Sequence, residues 1–491
     1  MIDPSQDPSP ISFPPLSRRD ALLAGAALLG SSVWASNGMS AEANHDSFHD
    51  PDFSVIHPRA ELVKHLTPKA LQAQEKPRIV NGVSVTGLPE LLPELDDKVV
   101  GLMNSSGIPG VSIGIAHNKR LVCTRGYGKA SLVGNVPVEP TMPGTLMSVS
   151  KPLTVHAALM LVHEQKLHLT DPAFKILKDK PLLAAGQSAD PRLDSITIRH
   201  LMTHTSGLFN IVEALNDPDY FQDLARKKEI TLVHGRINQE DLVRVGMREK
   251  LSFDPGQKFS YSGQGIQVLA RIVEKLSGMR LDKYIQRHIF APLGIRSYYV
   301  GSYLSDDQYR QLMKPDRTHL YALCPSDYHA DQKRHTPRDI PDWGYLSWGQ
   351  ADACGWHALS GVDLLRWVTF YPNTLGPALM RSVTERPWVI DDKDERVQSD
   401  MGLGWGVYEQ DFNGRPGKGI RHFGAWSGER CYAEYRPDGG SYSVQFNSDF
   451  HPPVDEIIDA ARKFLDNFKP AGHPFLEWTD YGYPKTVATA R

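Results

Sequence analysis

Apolar positions along this chain fall into three kinds of pattern, and their order predicts its architecture. Over 89–104, Leu91, Leu92, Leu95, Val99, Val100 and Met103 recur at helical spacing before Pro109-Gly110. The spacing predicts a helix with one buried face. Residues 111–116 and 120–127 then flank His117-Asn118-Lys119, a hairpin pattern. Over 153–162 nearly every position is apolar, which predicts a helix buried on all sides. Pro152 is tolerated only near a helix start, so this helix opens close to Ser148.

Residues 173–345 carry mostly helical signals separated by long loops. The clearest helix covers 264–276, with Ile266, Leu269, Ile272, Val273 and Leu276 on one face and Gly278 placed to cap its end. A second covers 281–290 and stops before Pro292-Leu293-Gly294. Residues 300–350 are charged, aromatic and irregular. Strand patterns return at 405–408, 430–435 and 441–447. Val454, Ile457, Ile458, Ala461, Phe464, Leu465 and Phe468 then mark an amphipathic helix. The order predicts an α+β fold: a five-stranded antiparallel sheet with the two terminal helices on one face. The α/β part comprises 88–172 and 346–470, and the helical domain at 173–345 is inserted into it. A ligand cleft is expected between the two.

The ends read differently. Residues 1–43 begin Pro- and Ser-rich. They then carry Arg18-Arg19 ahead of a short run of small apolar residues, the pattern of a twin-arginine export signal. Cleavage after Ala35 or Ala43 would leave the mature protein periplasmic or secreted, without stable membrane insertion. Residues 44–87, with His45, His49, His57 and His65, read as a linker or surface arm, and 471–491 as a C-terminal tail. The net charge is −3 and no basic run exceeds a few residues, so nothing points to a nucleic-acid partner, which would need a basic face. The four cysteines are too few for a disulfide scaffold; three full pairings, or free thiols, stay open.

The candidate chemistry starts at Ser148-Val149-Ser150-Lys151. A serine and a lysine three apart share a helix face, and a serine hydroxyl needs such a neighbour to become a nucleophile. Ser150 has the wrong spacing to Lys151. Two further stretches follow in order: 254–263, ending Tyr261-Ser262-Gly263, and His422-Phe423-Gly424-Ala425-Trp426-Ser427-Gly428. With 201–208, 353–356 and 402–405 in support, the chain from about 90 to 470 resembles the serine β-lactamase and penicillin-binding superfamily. It looks most like the class C β-lactamase-like branch, which also holds esterases and D-amino-acid peptidases.

That resemblance implies an acyl-enzyme on Ser148, with Lys151 sharing the proton and Tyr261 as general base. It implies an oxyanion hole from the backbone N–H groups of Ser148 and Ala425. His422, Gly424, Gly263 and Trp348 would meet substrate, a small-molecule ester, amide or peptide. No metal or organic cofactor is implied. Two positions depart from the family pattern. Gly263 replaces the asparagine of the Tyr-x-Asn motif, and His422 replaces the lysine of Lys-Thr-Gly. Both changes weaken the case for β-lactams and leave ester or amide hydrolysis intact. The rival readings are a β-lactamase or D-Ala-D-Ala carboxypeptidase, and a non-catalytic module that binds cell-wall peptide.

Several other patterns have blander readings. His200 and His204 are four apart, but no His-Glu-x-x-His accompanies them, and the stretch matches a structural turn of the family. His163 and His168 are spaced one residue too far for a zinc helix. Gly424 to Gly428 is one residue too long for a G-x-S-x-G elbow. Trp343, Tyr345 and Trp348 line an acyl pocket or anchor the long loop, and Cys354 reads as packed.

Overall fold

The computed structural model describes residues 64–487, apart from 133–134, 180, 182, 184–185, 211–213, 215–218, 233–236, 304–325, 330–333, 338–350, 413–415, 427, 449–452, 469–474 and 486. The export-signal pattern, Cys324, Trp343, Tyr345 and Trp348 therefore lie outside the described residues.

Alternation along 110–117 builds the centre of the molecule. Val111, Ile113 and Ile115 point to one face of a sheet, and Ser112 and Gly114 to the other. The main sheet contains β1 (Arg78–Val80), β2 (Val83–Thr86), β3 (Gly110–His117), β4 (Arg120–Ser131), β5 (Val136–Pro137), β6 (Gly406–Asp411), β7 (Pro416–Trp426), β8 (Glu429–Tyr435) and β9 (Gly440–Phe446). Its order is β1-β2-β4-β3-β9-β8-β7-β6, with β5 paired to β4. The β3–β9 pairing, antiparallel from Val111↔Phe446 to His117↔Gly440, joins two stretches over 300 residues apart.

On one face, Val111, Ile113, Ile115, Tyr442, Val444 and Phe446 form a core with α2 (Pro93–Ser106) and the C-terminal helix Pro453–Asp466. The terminal helices lie together on that face, as the sequence implies. The other face carries α3 (Ser150–His163), α4 (Gly263–Ser277) and α5 (Gly361–Val383) in a second core. Every residue of α3 from Ser150 to Leu161 is buried, which the unbroken apolar run foretold. Helix α4 ends on Gly278 in the left-handed region, φ 68°.

The sheet differs from the five-stranded expectation. The largest omission is β7, the strand that carries His422 and Gly424. Three glycines (Gly417, Gly419, Gly424) and two cations depress its strand propensity, so it does not read as a strand. The glycines are there for close packing. A Cβ on Gly419 would sit 2.3 Å from the Tyr408 ring, and one on Gly424 would sit 2.1 Å from the Leu146 carbonyl oxygen. Residues 68–86, read as arm, supply α1 (Pro68–Glu75), the edge strand β1 and its inner neighbour β2. The C-terminal stretch 475–485 also packs: Trp478, Tyr481 and Tyr483 are buried, and Tyr483 donates to Asp363 of α5. Cys123, Cys354 and Cys431 are free, buried thiols.

Candidate active site

One turn of 3₁₀ helix, Met147–Val149, runs directly into α3 and sets Ser148 at its mouth. Met147 is held at φ 47°, a left-handed conformation that costs a residue with a side chain on the order of 1–3 kcal/mol. β7 presses on this turn: Gly424 leaves no room for a side chain above Leu146 and Met147. Pairing of β6 with β7 stops at Gly406↔Arg421, whereas β7–β8 pairing continues to Trp426↔Glu429. From His422 onward β7 therefore has one edge without a strand partner among the described residues. Ala425 lies on that stretch.

Ser148 is half-buried, and Lys151 is 5% exposed. Lys151 Nζ donates to Ser148 Oγ at 2.9 Å and to the Cys354 carbonyl at 3.0 Å. The neighbouring carbonyl, Ala353, accepts from Thr154 Oγ1 at 2.6 Å. The segment that supplies both acceptors is pinned by Asp352. This fully buried carboxylate accepts from Arg271 of α4 at 2.6 Å and from Tyr303 at 2.5 Å. Ser150 faces away: its hydroxyl accepts from the His357 N–H at 3.3 Å.

Tyr261 stands one residue before the N-cap of α4 and is 40% exposed. Lys151 Nζ lies 4.7 Å from the centre of its ring. Burial pulls the Lys151 ammonium down, but attraction to Tyr261 and Cys354 together with the direct Tyr261 contact outweighs it, and the net shift is upward. Lys151 is thus a cation at neutral pH. A cation that already donates to Ser148 Oγ has no lone pair with which to take the serine proton.

His422 has Nδ1 at 2.7 Å from the Phe423 carbonyl. That nitrogen carries the proton, and Nε2 keeps a free lone pair. Its ring centre is 6.3 Å from that of Tyr261. Burial, with the Lys151 charge nearby, lowers His422 to about 3, so no fixed cation stands where the family pattern has lysine. Gly263 opens α4, and its N–H donates to Asn210 Oδ1 at 2.9 Å; the Gln264 N–H adds a second bond at 3.3 Å. Asn210 thus caps the helix from a distant loop. His200 turns away, accepting from the Thr197 N–H at 3.2 Å, and shares no ligand site with His204. No cluster of three metal-ligating side chains occurs among the described residues.

Sequence reasoning missed three contributors: His204, Asn210 and Asp352. The signal for the first two was the stretch 201–210 itself, which reads as a turn. For Asp352 it was a lone acid next to Ala-Cys-Gly-Trp.

Four buried imidazoles share one electrostatic consequence. Burial lowers His156, His204 and His422 to about 3 and His357 to about 4, from an ordinary value of 6.5. Below pH 6.5 the unfolded chain takes up protons that the folded chain refuses. Stability is therefore full above pH 6.5 and falls toward pH 4, by about 1.4 kcal/mol per pH unit for each titrating histidine. Urea midpoints should drop steeply between pH 7.5 and 5; a flat profile over that range contradicts this reading.

The Beta-lactamase family model matches residues 95–467. Protein flp of Staphylococcus aureus (strain MW2) is 27% identical over 203 residues, 41% of this chain and 37% of that protein. The chain thus spans under two fifths of the length of that relative. The octameric penicillin-binding protein homologue from Pyrococcus abyssi superposes with a TM-score of 0.57 at 23% identity, over 77% of this chain and 78% of that one. EstCE1, a hydrolase with promiscuous acyltransferase activity, gives 0.56 at 21% identity, over 75% and 98%. Both likenesses are of fold.

Proposed function

The chain belongs to the Beta-lactamase family, and we propose that it is a serine hydrolase which cleaves an ester or amide through an acyl-enzyme on Ser148. The observation that carries this reading is the 2.9 Å contact of Lys151 Nζ with Ser148 Oγ, beside the Tyr261 ring.

In the acylation step Tyr261 acts as general base: its phenol oxygen, beside the Lys151 ammonium, takes the Ser148 proton while Oγ attacks the substrate carbonyl. The oxyanion lies against the N–H groups of Ser148 and Ala425; each donor of this kind contributes roughly 10²–10³ in rate. Collapse breaks the bond to the leaving group, which takes the proton from Tyr261. Water then repeats the sequence and releases the acid. A non-catalytic binding role would need neither the Ser148–Lys151 contact nor the strained turn at Met147.

A neutral His422 and a side-chain-free Gly263 support esters over β-lactams, because neither offers the charge or the amide that would hold a lactam's carboxylate and amide groups. Turnover of p-nitrophenyl butyrate should exceed that of nitrocefin; the reverse order overturns the ester preference. Export to the periplasm or beyond is part of the proposal and rests on the Arg18-Arg19 pattern.

A further inference from the structure

His204 touches Tyr261 and both its chain neighbours. Its carbonyl accepts from the Ser260 N–H at 2.9 Å. Its Nδ1 accepts from the Ser262 N–H at 3.2 Å. Its ring packs on the Tyr261 ring, centres 4.6 Å apart and planes 38° apart. One residue, over 50 positions away in sequence, thus fixes the backbone on either side of the tyrosine and one face of its ring.

Two features make this arrangement unfavourable for folding alone. His204 sits at φ 56°, which a residue with a side chain adopts reluctantly. Because Nδ1 accepts, the proton is on Nε2, and that buried donor has no hydrogen-bond partner among the described residues. Such an orphan costs roughly 1–3 kcal/mol. Strain and an unpaired buried donor coincide on one residue packed against Tyr261, and a role beyond folding accounts for their being kept there.

We propose that His204 is the positioning residue of Tyr261, holding the phenol where it meets Lys151 and the Ser148 oxygen. The inference rests on the acyl-enzyme reading above. The ring is 1% exposed, and the groups that face it are Tyr261 and Phe259, with Lys151 and His422 as the charged or titratable groups close by. A neutral imidazole gives a rigid, uncharged backing to the phenol without competing for the Lys151 ammonium. Loosening it would let the phenol drift from Lys151 and from the Ser148 oxygen.

The test compares His204→Asn and His204→Phe with the parent enzyme on p-nitrophenyl butyrate. Asparagine tolerates the left-handed backbone and can accept from Ser262, but has no ring. Phenylalanine keeps a ring and loses the acceptor. The expected result for both is a fall in kcat of about 10- to 100-fold with KM changed little, because a small misplacement of a reacting group has that effect. Parental kcat in both variants, or a loss carried by KM instead of kcat, overturns the proposal. So does a loss that vanishes on cooling in step with the thermal midpoint, and so does failure of both variants to fold. The comparison uses only turnover that Ser148→Ala abolishes. An inactive parent, or an active Ser148→Ala, would count against the function itself and is distinguishable from failure of the His204 role.

Discussion

Ser148→Ala should lower ester turnover by roughly 10⁴–10⁶-fold while leaving the stability measured in urea within about 1 kcal/mol of the parent. The size of the loss follows from the lack of a substitute nucleophile. Ser150 is fully buried and its hydroxyl is engaged by His357. The Cys354 thiol is buried and pushed up by that burial, and the residue presents its carbonyl to Lys151. The small stability effect follows from geometry as well: Ser148 is half-buried, and without its oxygen Lys151 Nζ still has the Cys354 carbonyl. A residual rate within tenfold of the parent would place the nucleophile elsewhere.

Lys151→Met should be the second largest effect, about 10³-fold in kcat/KM, within the range of a lost proton-transfer partner. Methionine keeps the length of the side chain and removes the charge. Ser148 Oγ then loses its donor and Tyr261 its cation, so the proton has no favourable path off the serine. The consequence for stability is small and of either sign. Removing a buried ammonium relieves desolvation, while the Cys354 carbonyl is left without its donor. Lys151→Arg should not restore the rate, because a planar guanidinium cannot place one point charge between Ser148 and Tyr261. Steady-state kinetics with paired urea melts check both statements; rescue by arginine would show that charge alone suffices at this position.

Much of this was legible in the chain because it was local. The Ser148-x-x-Lys151 spacing, the all-apolar run of α3 and the Gly278 stop of α4 each lie within one turn or one element, where periodicity and capping rules act. The meeting of Tyr261 with Lys151 was accessible only through the family resemblance, and the fold then brought the two together. What stayed hidden depends on contacts that close over long distances. β7 was invisible because its glycines answer to Tyr408 and to the Leu146 carbonyl, not to strand propensity. Asn210 caps a helix that begins 53 residues later. Asp352 holds the carbonyls that receive Lys151 and Thr154 only because Arg271 and Tyr303 reach it from other elements. His204 looked like half of an unlikely metal pair, yet its ring belongs to Tyr261.

The proposed acyl-enzyme is covalent chemistry at one oxygen, and intact-protein mass spectrometry after exposure to a fluorophosphonate reads that oxygen directly. A single adduct is expected, mapped to the peptide containing Ser148 and absent from Ser148→Ala. No adduct on the folded parent protein, or an adduct of the same mass and yield in Ser148→Ala, would contradict it.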